Sequence, residues 1–261
     1  MTTSTFPRSA APQPLAGHGA LVTGGSRGIG RAIVTRLAAD GAAVVFTYAT
    51  ERCAAEGLVT EITDAGGWAR ALQLDLREID QLERVFSAAD QAFAEVGVGL
   101  NVLVANAGVA ATSPIAHITS DEWDRVMAIN AKGTFFTLQH AGRRMLDGGR
   151  ILALSTIGTA WPSPGEALYV ASKAAVEQLT RVASREFGSR GITVNTLSPG
   201  PTDTDLLRAG APPEALEGAA AMTALGRIGR PEDIADLVAL LIHPDNRWVT
   251  GQNVRADGGL V

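Results

Sequence analysis

Cysteine, basic charge excess and long apolar runs are scarce or missing in this chain of 261 residues. Its one cysteine, Cys53, cannot form an internal disulfide, so a reducing compartment is favoured and a cytoplasmic location is expected. The formal net charge of −5 offers no basic surface for nucleic acid or for anionic membranes. No segment approaches the roughly 18 uninterrupted apolar residues of a membrane span. We therefore expect neither nucleic acid nor a membrane among its partners.

Metal-ligand spacing and targeting signals are also missing. Four histidines stand far apart in the sequence: His18, His117, His140 and His243. No metal site is therefore expected. Residues 1–16 are rich in Ser, Thr, Ala and Pro and lack the apolar run of a signal peptide, which predicts a mobile N-terminal tail. Because no repeat or linker interrupts the remainder, residues 17–261 are predicted to form a single domain.

Short β-branched runs alternate with longer helical segments along this domain. Strands are predicted at 20–23, 44–48, 69–74, 101–105, 149–155, 192–197 and 252–256. Helices are predicted at 31–39, 54–65, 82–93, 121–145 and through Tyr169 to about 187, whereas 201–225 is expected to be a mobile loop. The fold class is α/β: a single Rossmann-type, doubly wound parallel sheet of about seven strands, with helices on both faces.

A glycine-rich turn follows the first predicted strand, in the segment from Thr23 to Gly30. Its three spaced glycines, Gly24, Gly28 and Gly30, suit a tight turn, a close approach of a pyrophosphate to the backbone, and close packing of helix on strand. The following helix would present unpaired N–H groups to the phosphates. The segment therefore predicts a dinucleotide site.

Tyr169 and Lys173 stand four residues apart on a predicted helix, so their side chains share one face. A cation about 4 Å from a phenol, at an effective dielectric of about 20, favours the phenolate by about 4 kcal/mol, or about three pKa units. We expect Lys173 to bring the pKa of Tyr169 towards neutrality, where a general acid–base works best.

Both motifs, with further segments in the same order, resemble the short-chain dehydrogenase/reductase family, in particular its 3-oxoacyl-thioester reductases and ketoreductases. The further segments are Asn106-Ala107-Gly108, Asn130, Ser155, Pro199-Gly200 and Asp257-Gly258-Gly259. The resemblance extends over nearly the whole chain. It makes residues 17–261 one dinucleotide-binding and catalytic domain, and it implies hydride transfer between a nicotinamide and a carbonyl or alcohol.

The resemblance also implies the roles of four catalytic residues. Tyr169 would protonate the carbonyl oxygen, and Lys173 would hold the nicotinamide ribose. Ser155 would donate to the substrate oxygen, and Asn130 would hold a water that links Lys173 to solvent. The separation of Ser155 from Tyr169 is one residue longer than the family pattern, so loop length alone selects Thr156 instead. The local run from Ser155 to Gly158 favours Ser155.

NADP(H) is the predicted cofactor. An acidic residue at the end of the second strand would favour NAD(H), but Tyr48 stands there, and Arg27 can face a 2′-phosphate with help from Thr50 and Arg52. Asp75 resembles the family residue that contacts adenine. The predicted cofactor-binding residues are Gly24, Ser26, Arg27, Gly28, Ile29, Gly30, Tyr48, Thr50, Asp75, Leu76, Asn106, Ala107, Gly108, Tyr169, Lys173, Pro199, Gly200 and Thr202.

The substrate is predicted to be a neutral ketone or a 3-oxoacyl thioester, reduced by NADPH to a secondary alcohol. Ser155, Trp161 and Leu206 are the predicted substrate-binding residues, and residues 206–216 would close over the site. The wider predicted lining is small and apolar: Ala110, Gly158, Thr159, Trp161, Pro201, Leu206 and Leu207. Two alternatives remain open: a sugar or polyol dehydrogenase, and a nicotinamide-binding sensor without catalysis. The resemblance further implies a homotetramer built through the helices that begin near Asp121 and Gly165 and through the C-terminal strand.

Overall fold

One parallel sheet organises the protein in the computed structural model, which describes residues 13–210 and 212–261. Within these residues the seven strands are β1 (Gly19–Val22), β2 (Ala43–Tyr48), β3 (Trp68–Gln73), β4 (Leu100–Ala105), β5 (Arg150–Leu154), β6 (Thr193–Pro199) and β7 (Asn253–Ala256). Their order is β3-β2-β1-β4-β5-β6-β7, and all pairs are parallel. The predicted doubly wound α/β fold is confirmed.

Helices cover both faces of this sheet. Over the described residues they are α1 (Gly28–Ala39), α2 (Arg52–Asp64), α3 (Gln81–Glu95), α4 (Ser120–Met127), α5 (Gly133–Arg144), α6 (Ala167–Phe187), α7 (Asp205–Gly210), α8 (Pro213–Met222) and α9 (Pro231–Ile242). None of the helices in this part of the chain combines the length and hydropathy needed to cross a bilayer.

The central strands are apolar throughout because both of their faces are buried. Successive strand residues point to opposite faces, so Val22 joins the core on the side of α1 and α9, whereas Leu21 joins the core on the side of α3 and α5. Each face of the sheet is thus covered by its own helices, so the ends of the strands are the parts of the sheet that a ligand can reach.

The strand order reverses direction at β1, which pairs with β2 on one side and with β4 on the other. The connections after β1 and β4 therefore leave towards opposite faces and open a crevice at the carboxyl ends of these two strands. Open α/β sheets bind ligands at this position.

Three local expectations need correction. The predicted helix 121–145 is two α-helices joined by a single π-helical turn, Ala128–Lys132. The expected loop 201–225 contains α7 and α8, of which α8 begins with proline at its first position and is rich in alanine.

The predicted tail also ends earlier than position 16. Leu15 is buried in the core, and its backbone N–H donates to the carbonyl of Asp40 at 2.9 Å. Apolar burial and this backbone hydrogen bond together hold Leu15 against the end of α1. Residues 1–12 of the predicted tail lie outside the described residues.

Candidate active site

A cleft of about 610 Å³ opens at the carboxyl ends of the strands, at the crevice beside β1 and β4. The residues that follow β1, β2, β3, β4, β5 and β6 all contribute to it. Every residue predicted to bind the cofactor lines this cleft, as do Ser155, Trp161 and Leu206. The sheet thus brings together segments that are far apart in sequence.

The glycine turn after β1 is shaped by two contacts that only glycine permits. Gly24 has a φ of +67°, and a Cβ there would stand 2.9 Å from the Cα of Ala107. A Cβ on Gly30 would stand 2.0 Å from the carbonyl oxygen of Gly24. The start of α1 therefore lies directly against the end of β1, as close packing of helix on strand requires.

Hydrogen bonds hold this turn to the end of β4. The side-chain amide of Asn106 donates to the carbonyls of Thr23 and Gly24, at 3.0 and 2.9 Å. In return, the hydroxyl of Thr23 accepts from the backbone N–H groups of Asn106 and Ala107, both at 3.1 Å. Asn106 thus braces the turn, a role that does not require contact with a cofactor.

The beginning of α1 is suited to an anion. Its N-cap residue, Arg27, makes no side-chain cap, and no acidic residue stands in the first turn. The first backbone N–H groups and the positive end of the helix dipole therefore face the cleft without a competing carboxylate. These residues fit the pyrophosphate of a dinucleotide.

Among the basic residues near this end of the cleft, Arg27 differs from its neighbours. Its side chain is exposed and has no ion-pair partner within the described residues. Arg52, the other predicted phosphate contact, instead pairs with Glu56 at 2.7 Å. Arg77 binds the carboxylate of Asp75 and lowers the pKa of that carboxyl. Arg27 is thus the cation whose charge is left unpaired beside the crevice.

Lys173 lies buried beneath the other end of the cleft. Its Nζ donates to the carbonyl of Leu154 at 2.8 Å, and burial lowers its pKa to about 8. Burial raises the pKa of Tyr169 above its ordinary value, hydrogen bonding with Thr156 lowers it in part, and the charge of Glu166 raises it. The phenol is therefore protonated at neutral pH.

The expectation that the pKa of Tyr169 falls towards neutrality is wrong for this geometry. Burial raises that pKa, and the other groups that act on it are Thr156 and Glu166. The estimate from sequence left out the cost of burying both groups.

The hydroxyl of Ser155, expected to donate to the substrate oxygen, has protein partners in this structure. It donates to Oε1 of Glu177 at 2.7 Å and lies 3.4 Å from the carbonyl oxygen of Lys173. The next residue, Thr156, lines the cleft and lowers the pKa of Tyr169 in part. Both residues line the cleft, and they differ in that the hydroxyl of Ser155 already has Glu177 as its partner.

Asn130 lies in the π-helical turn and is fully buried. Its amide nitrogen donates to the carbonyl of Val109 and to the hydroxyl of Ser172, both at 2.9 Å, and its oxygen accepts from the N–H of Val109 at 2.9 Å. A Cβ on Gly108 would stand 3.1 Å from Nζ of Lys173 and 3.2 Å from Oδ1 of Asn130. The side chain of Asn130 thus fixes the loop after β4 against the helix that carries Lys173, which leaves its backbone as the group that could hold a water.

Comparison with known proteins agrees with this geometry. Residues 24–261 match a family described as enoyl-(acyl carrier protein) reductase. A hydroxynaphthalene reductase-like protein, Arp2, from Metarhizium majus is 39% identical over 263 residues, covering 96% of this chain and 97% of its own. Short chain dehydrogenase/reductase AacuN from Aspergillus aculeatus is 39% identical over 264 residues, covering 96% and 98%.

The chain belongs to the short-chain dehydrogenase/reductase family. Among solved structures, the angucycline C-6 ketoreductase LanV with bound NADP has a TM-score of 0.90 and 40% identity, covering 95% of this chain and 96% of its own. A short-chain dehydrogenase from Burkholderia cenocepacia in complex with NADP has a TM-score of 0.88 and 38% identity, covering 95% and 99%. The chain is therefore a member of an oxidoreductase family that includes ketoreductases.

The substrate side of this short-chain dehydrogenase/reductase cleft is mainly apolar. Trp161 and Leu206 line it, each about half exposed at 46% and 52%. Thr159, predicted to line the substrate pocket, instead donates its hydroxyl to Glu177 at 2.6 Å and does not line the cleft. Across residues 13–210 and 212–261, no group of three or more His, Cys, Asp or Glu side chains is arranged to hold a metal ion.

One cleft residue that sequence reasoning missed is Glu166. It stands one helical turn before Tyr169, and its side chain is half-buried in the cleft. The spacing was a usable signal, because residues three apart near the start of a helix share a face. Thr156 could also be predicted from the sequence, because loop length alone selects it.

Proposed function

We propose that the protein is an NADP(H)-dependent carbonyl reductase, which transfers a hydride from NADPH to a ketone or 3-oxoacyl carbonyl and yields a secondary alcohol. The observation that carries this proposal is the half-buried Tyr169 one turn before the buried Lys173, in a cleft whose far end presents the anion-binding start of α1. A phenol whose pKa is raised keeps its proton at neutral pH, which suits a general acid in the reductive direction.

Each catalytic residue has a distinct part in this reaction. Tyr169 and Thr156 donate hydrogen bonds to the carbonyl oxygen, and Tyr169 gives up its proton as negative charge develops there. Bound NADPH would supply the hydride. Lys173 lies one turn further along the helix, where it would hold the ribose hydroxyls. Asn130 fixes the loop beside Lys173, and its backbone would hold the water that returns a proton.

Arg27 and Tyr48 support NADP(H) over NAD(H). The residue at the end of β2 is Tyr48, so no carboxylate is placed there to bind a ribose 2′-hydroxyl. The unpaired guanidinium of Arg27 would bind a 2′-phosphate through charge-assisted hydrogen bonds. LanV and the Burkholderia enzyme, both in complex with NADP, are relatives of similar fold.

An apolar cleft suits a neutral, ring-bearing ketone. Among the Arg and Lys residues that the structure describes, only Arg27 and Lys173 line the cleft; Arg27 lies at the cofactor end and Lys173 at the catalytic end. Relatives described as hydroxynaphthalene reductase-like and as an angucycline ketoreductase act, by their names, in aromatic chemistry. An aromatic ketone is therefore the substrate class to test first.

The proposed enzyme is a homotetramer. Large apolar side chains stand exposed on α4, α5 and α6, among them Trp123, Phe135 and Val182. Trp248, shortly before β7, is 98% exposed. We propose that these side chains are buried between subunits. Light scattering after size exclusion should give four times the chain mass of 27.0 kDa, and a monomer would contradict the assembly.

The test is NADPH and NADH oxidation against aromatic ketones, 3-oxoacyl thioesters, quinones and sugars. Wild type is compared with Tyr169→Phe and with Tyr48→Phe, which removes the hydroxyl of the chain's other tyrosine. Tyr169→Phe should lower turnover by about 10²-fold or more while NADPH still binds, because only the proton donor is lost. Turnover of sugars alone would favour the dehydrogenase alternative. Tight NADPH binding without turnover of any substrate would favour a sensor.

A further inference from the structure

Glu166 is a carboxylate in the cleft that the proposed reaction does not use. It is the N-cap residue of α6, yet its side chain makes no capping hydrogen bond. The carboxylate also has no ion pair within residues 13–210 and 212–261. Its Oε2 lies over the loop that follows β5, where it would stand 3.5 Å from a Cβ built on Gly158. Its hydrogen-bonding capacity is therefore available to a molecule in the cleft.

Burial makes this carboxylate costly, and nothing near it offsets the cost. Burial raises the pKa of Glu166, and no basic side chain acts against that rise. The charge of Glu166 also raises the pKa of Tyr169, so the two groups, which lie close together at the start of α6, interact. A half-buried acceptor without a partner is stabilised by whatever donor a ligand brings to it.

We infer that Glu166 is a specificity-determining residue, which accepts a hydrogen bond from a hydroxyl of the ketone substrate and repels substrates that carry a carboxylate or phosphate. This inference rests on the proposed carbonyl reductase function. It narrows the substrate class from neutral ketones to hydroxylated ketones, with phenolic ketones as the form that suits both the apolar walls and the carboxylate.

The helix geometry limits where the substrate hydroxyl can be. Glu166 and Tyr169 stand three residues apart, and side chains at this spacing begin about 5–6 Å from one another. When the carbonyl oxygen is at Tyr169, a hydroxyl at a comparable distance from that oxygen reaches Glu166. A hydroxyl directly beside the carbonyl is too near the carbonyl oxygen to reach Glu166. Such a hydroxyl would form a hydrogen bond within the substrate instead.

Three ketones with one skeleton test the inference: 1-tetralone, its 7-hydroxy derivative and its 7-carboxy derivative. Their dissociation constants are measured by isothermal titration calorimetry, with and without NADP⁺, and their turnover is measured with NADPH. Wild type is compared with Glu166→Leu and Glu166→Gln. The control is Glu186→Gln, which changes an exposed carboxylate of the same helix outside the cleft.

A hydrogen bond to a charged acceptor predicts that wild type binds the hydroxylated ketone about tenfold or more tightly than 1-tetralone. Glu166→Leu should reduce that ratio below about twofold. Glu166→Gln should bind the carboxylated ketone more tightly than wild type does, because the repelling charge is removed. Glu186→Gln should match wild type. The same ratio in wild type and Glu166→Leu, an equal loss for both neutral ketones, or no binding of any ketone would overturn the inference. Ratios that shift as expected without any NADPH oxidation would overturn the proposed function alone.

Discussion

Replacing Thr156 by alanine and, in a separate variant, Ser155 by alanine should change different properties of the protein. Thr156 lines the cleft and lowers the pKa of Tyr169 in part, whereas Ser155 is 4% exposed and donates to Glu177. Loss of one donor to a developing oxyanion lowers turnover by about 10²–10³-fold. Thr156→Ala should therefore show this loss with little change in stability, since the hydroxyl otherwise accepts only one long hydrogen bond, from the N–H of Gly158 at 3.3 Å.

The loss of stability in Ser155→Ala depends on Glu177, whose hydrogen bond from the Ser155 hydroxyl is removed. A hydrogen bond to a charged group contributes about 1.5–3 kcal/mol, and Glu177 would keep its bond from Thr159 at 2.6 Å. We expect the free energy of unfolding to fall by about 2 kcal/mol, which lowers Tm by about 4–8 °C in a chain of this size. Turnover should stay within about threefold of wild type, because the transition state loses no donor.

The assay combines steady-state kinetics on an aromatic ketone with thermal unfolding of the same preparations. NADPH affinity should be unchanged in both variants, because neither hydroxyl serves the dinucleotide. A hundredfold loss of turnover in Ser155→Ala, with full turnover in Thr156→Ala, would refute the reasoning and restore Ser155 to the reaction. Equal losses in both would mean that the loop after β5 acts as a unit.

Further predictions concern cofactor choice, the buried amine and the glycine turn. Arg27→Ala should raise KM for NADPH by about tenfold or more and leave KM for NADH within about twofold, because only the former has a 2′-phosphate to bind. Lys173→Met should abolish turnover yet stabilise the fold near pH 7 by about 2 kcal/mol. Burying the charged lysine, whose pKa shifts from 10.5 to about 8, destabilises the wild-type fold by about 3 kcal/mol, whereas its hydrogen bond to Leu154 stabilises that fold by about 1 kcal/mol. The advantage should disappear as pH rises from about 8 to 10.5, where the folded lysine is already neutral. Gly30→Ala should prevent NADPH binding or folding, since its Cβ would stand 2.0 Å from the carbonyl oxygen of Gly24.

Matched controls keep these predictions open to contradiction. Arg84→Ala removes an exposed arginine away from the cleft, Lys132→Met changes the chain's only other lysine, and Gly57→Ala adds a Cβ with no atom within 4 Å. An unchanged KM for NADPH in Arg27→Ala would remove the support for NADP(H). A destabilised Lys173→Met at pH 7, or a stable NADPH-binding Gly30→Ala, would contradict the burial argument and the packing argument respectively.

The sheet and the cleft could be predicted because their signals are local. Apolar β-branched runs mark strands buried on both faces, and a glycine turn after the first strand marks the crevice at which the strand order reverses. Once the strand order is set, the carboxyl ends bring Gly24, Asn106 and Lys173 to one cleft. The pattern therefore predicted which residues meet, even though it gave no distances.

Other features depended on neighbours that a sequence does not display. The choice between Ser155 and Thr156 depends on which hydroxyl already has a protein partner, and the partner of Ser155, Glu177, stands 22 residues further along the chain. The pKa of Tyr169 depends on burial, which raises it and which a sequence does not show. Helix α8, in contrast, could be predicted from the sequence, because it has proline at its first position and is rich in alanine. The interpretation of 201–225 as a loop did not take these two signals into account.

The π-helical turn at 128–132 has a consequence for how such a chain can vary. A π turn holds one residue more than an α turn, so no substitution can remove it, but deletion of one residue can. The deletion would leave a continuous α-helix in which everything before the turn, including Trp123, is rotated by about 100° relative to everything after it. Asn130 would lose its position against Val109 and Ser172 at the same time. Chain length in this segment is thus under tighter constraint than residue identity, and variation by insertion or deletion should be confined to other parts of the chain.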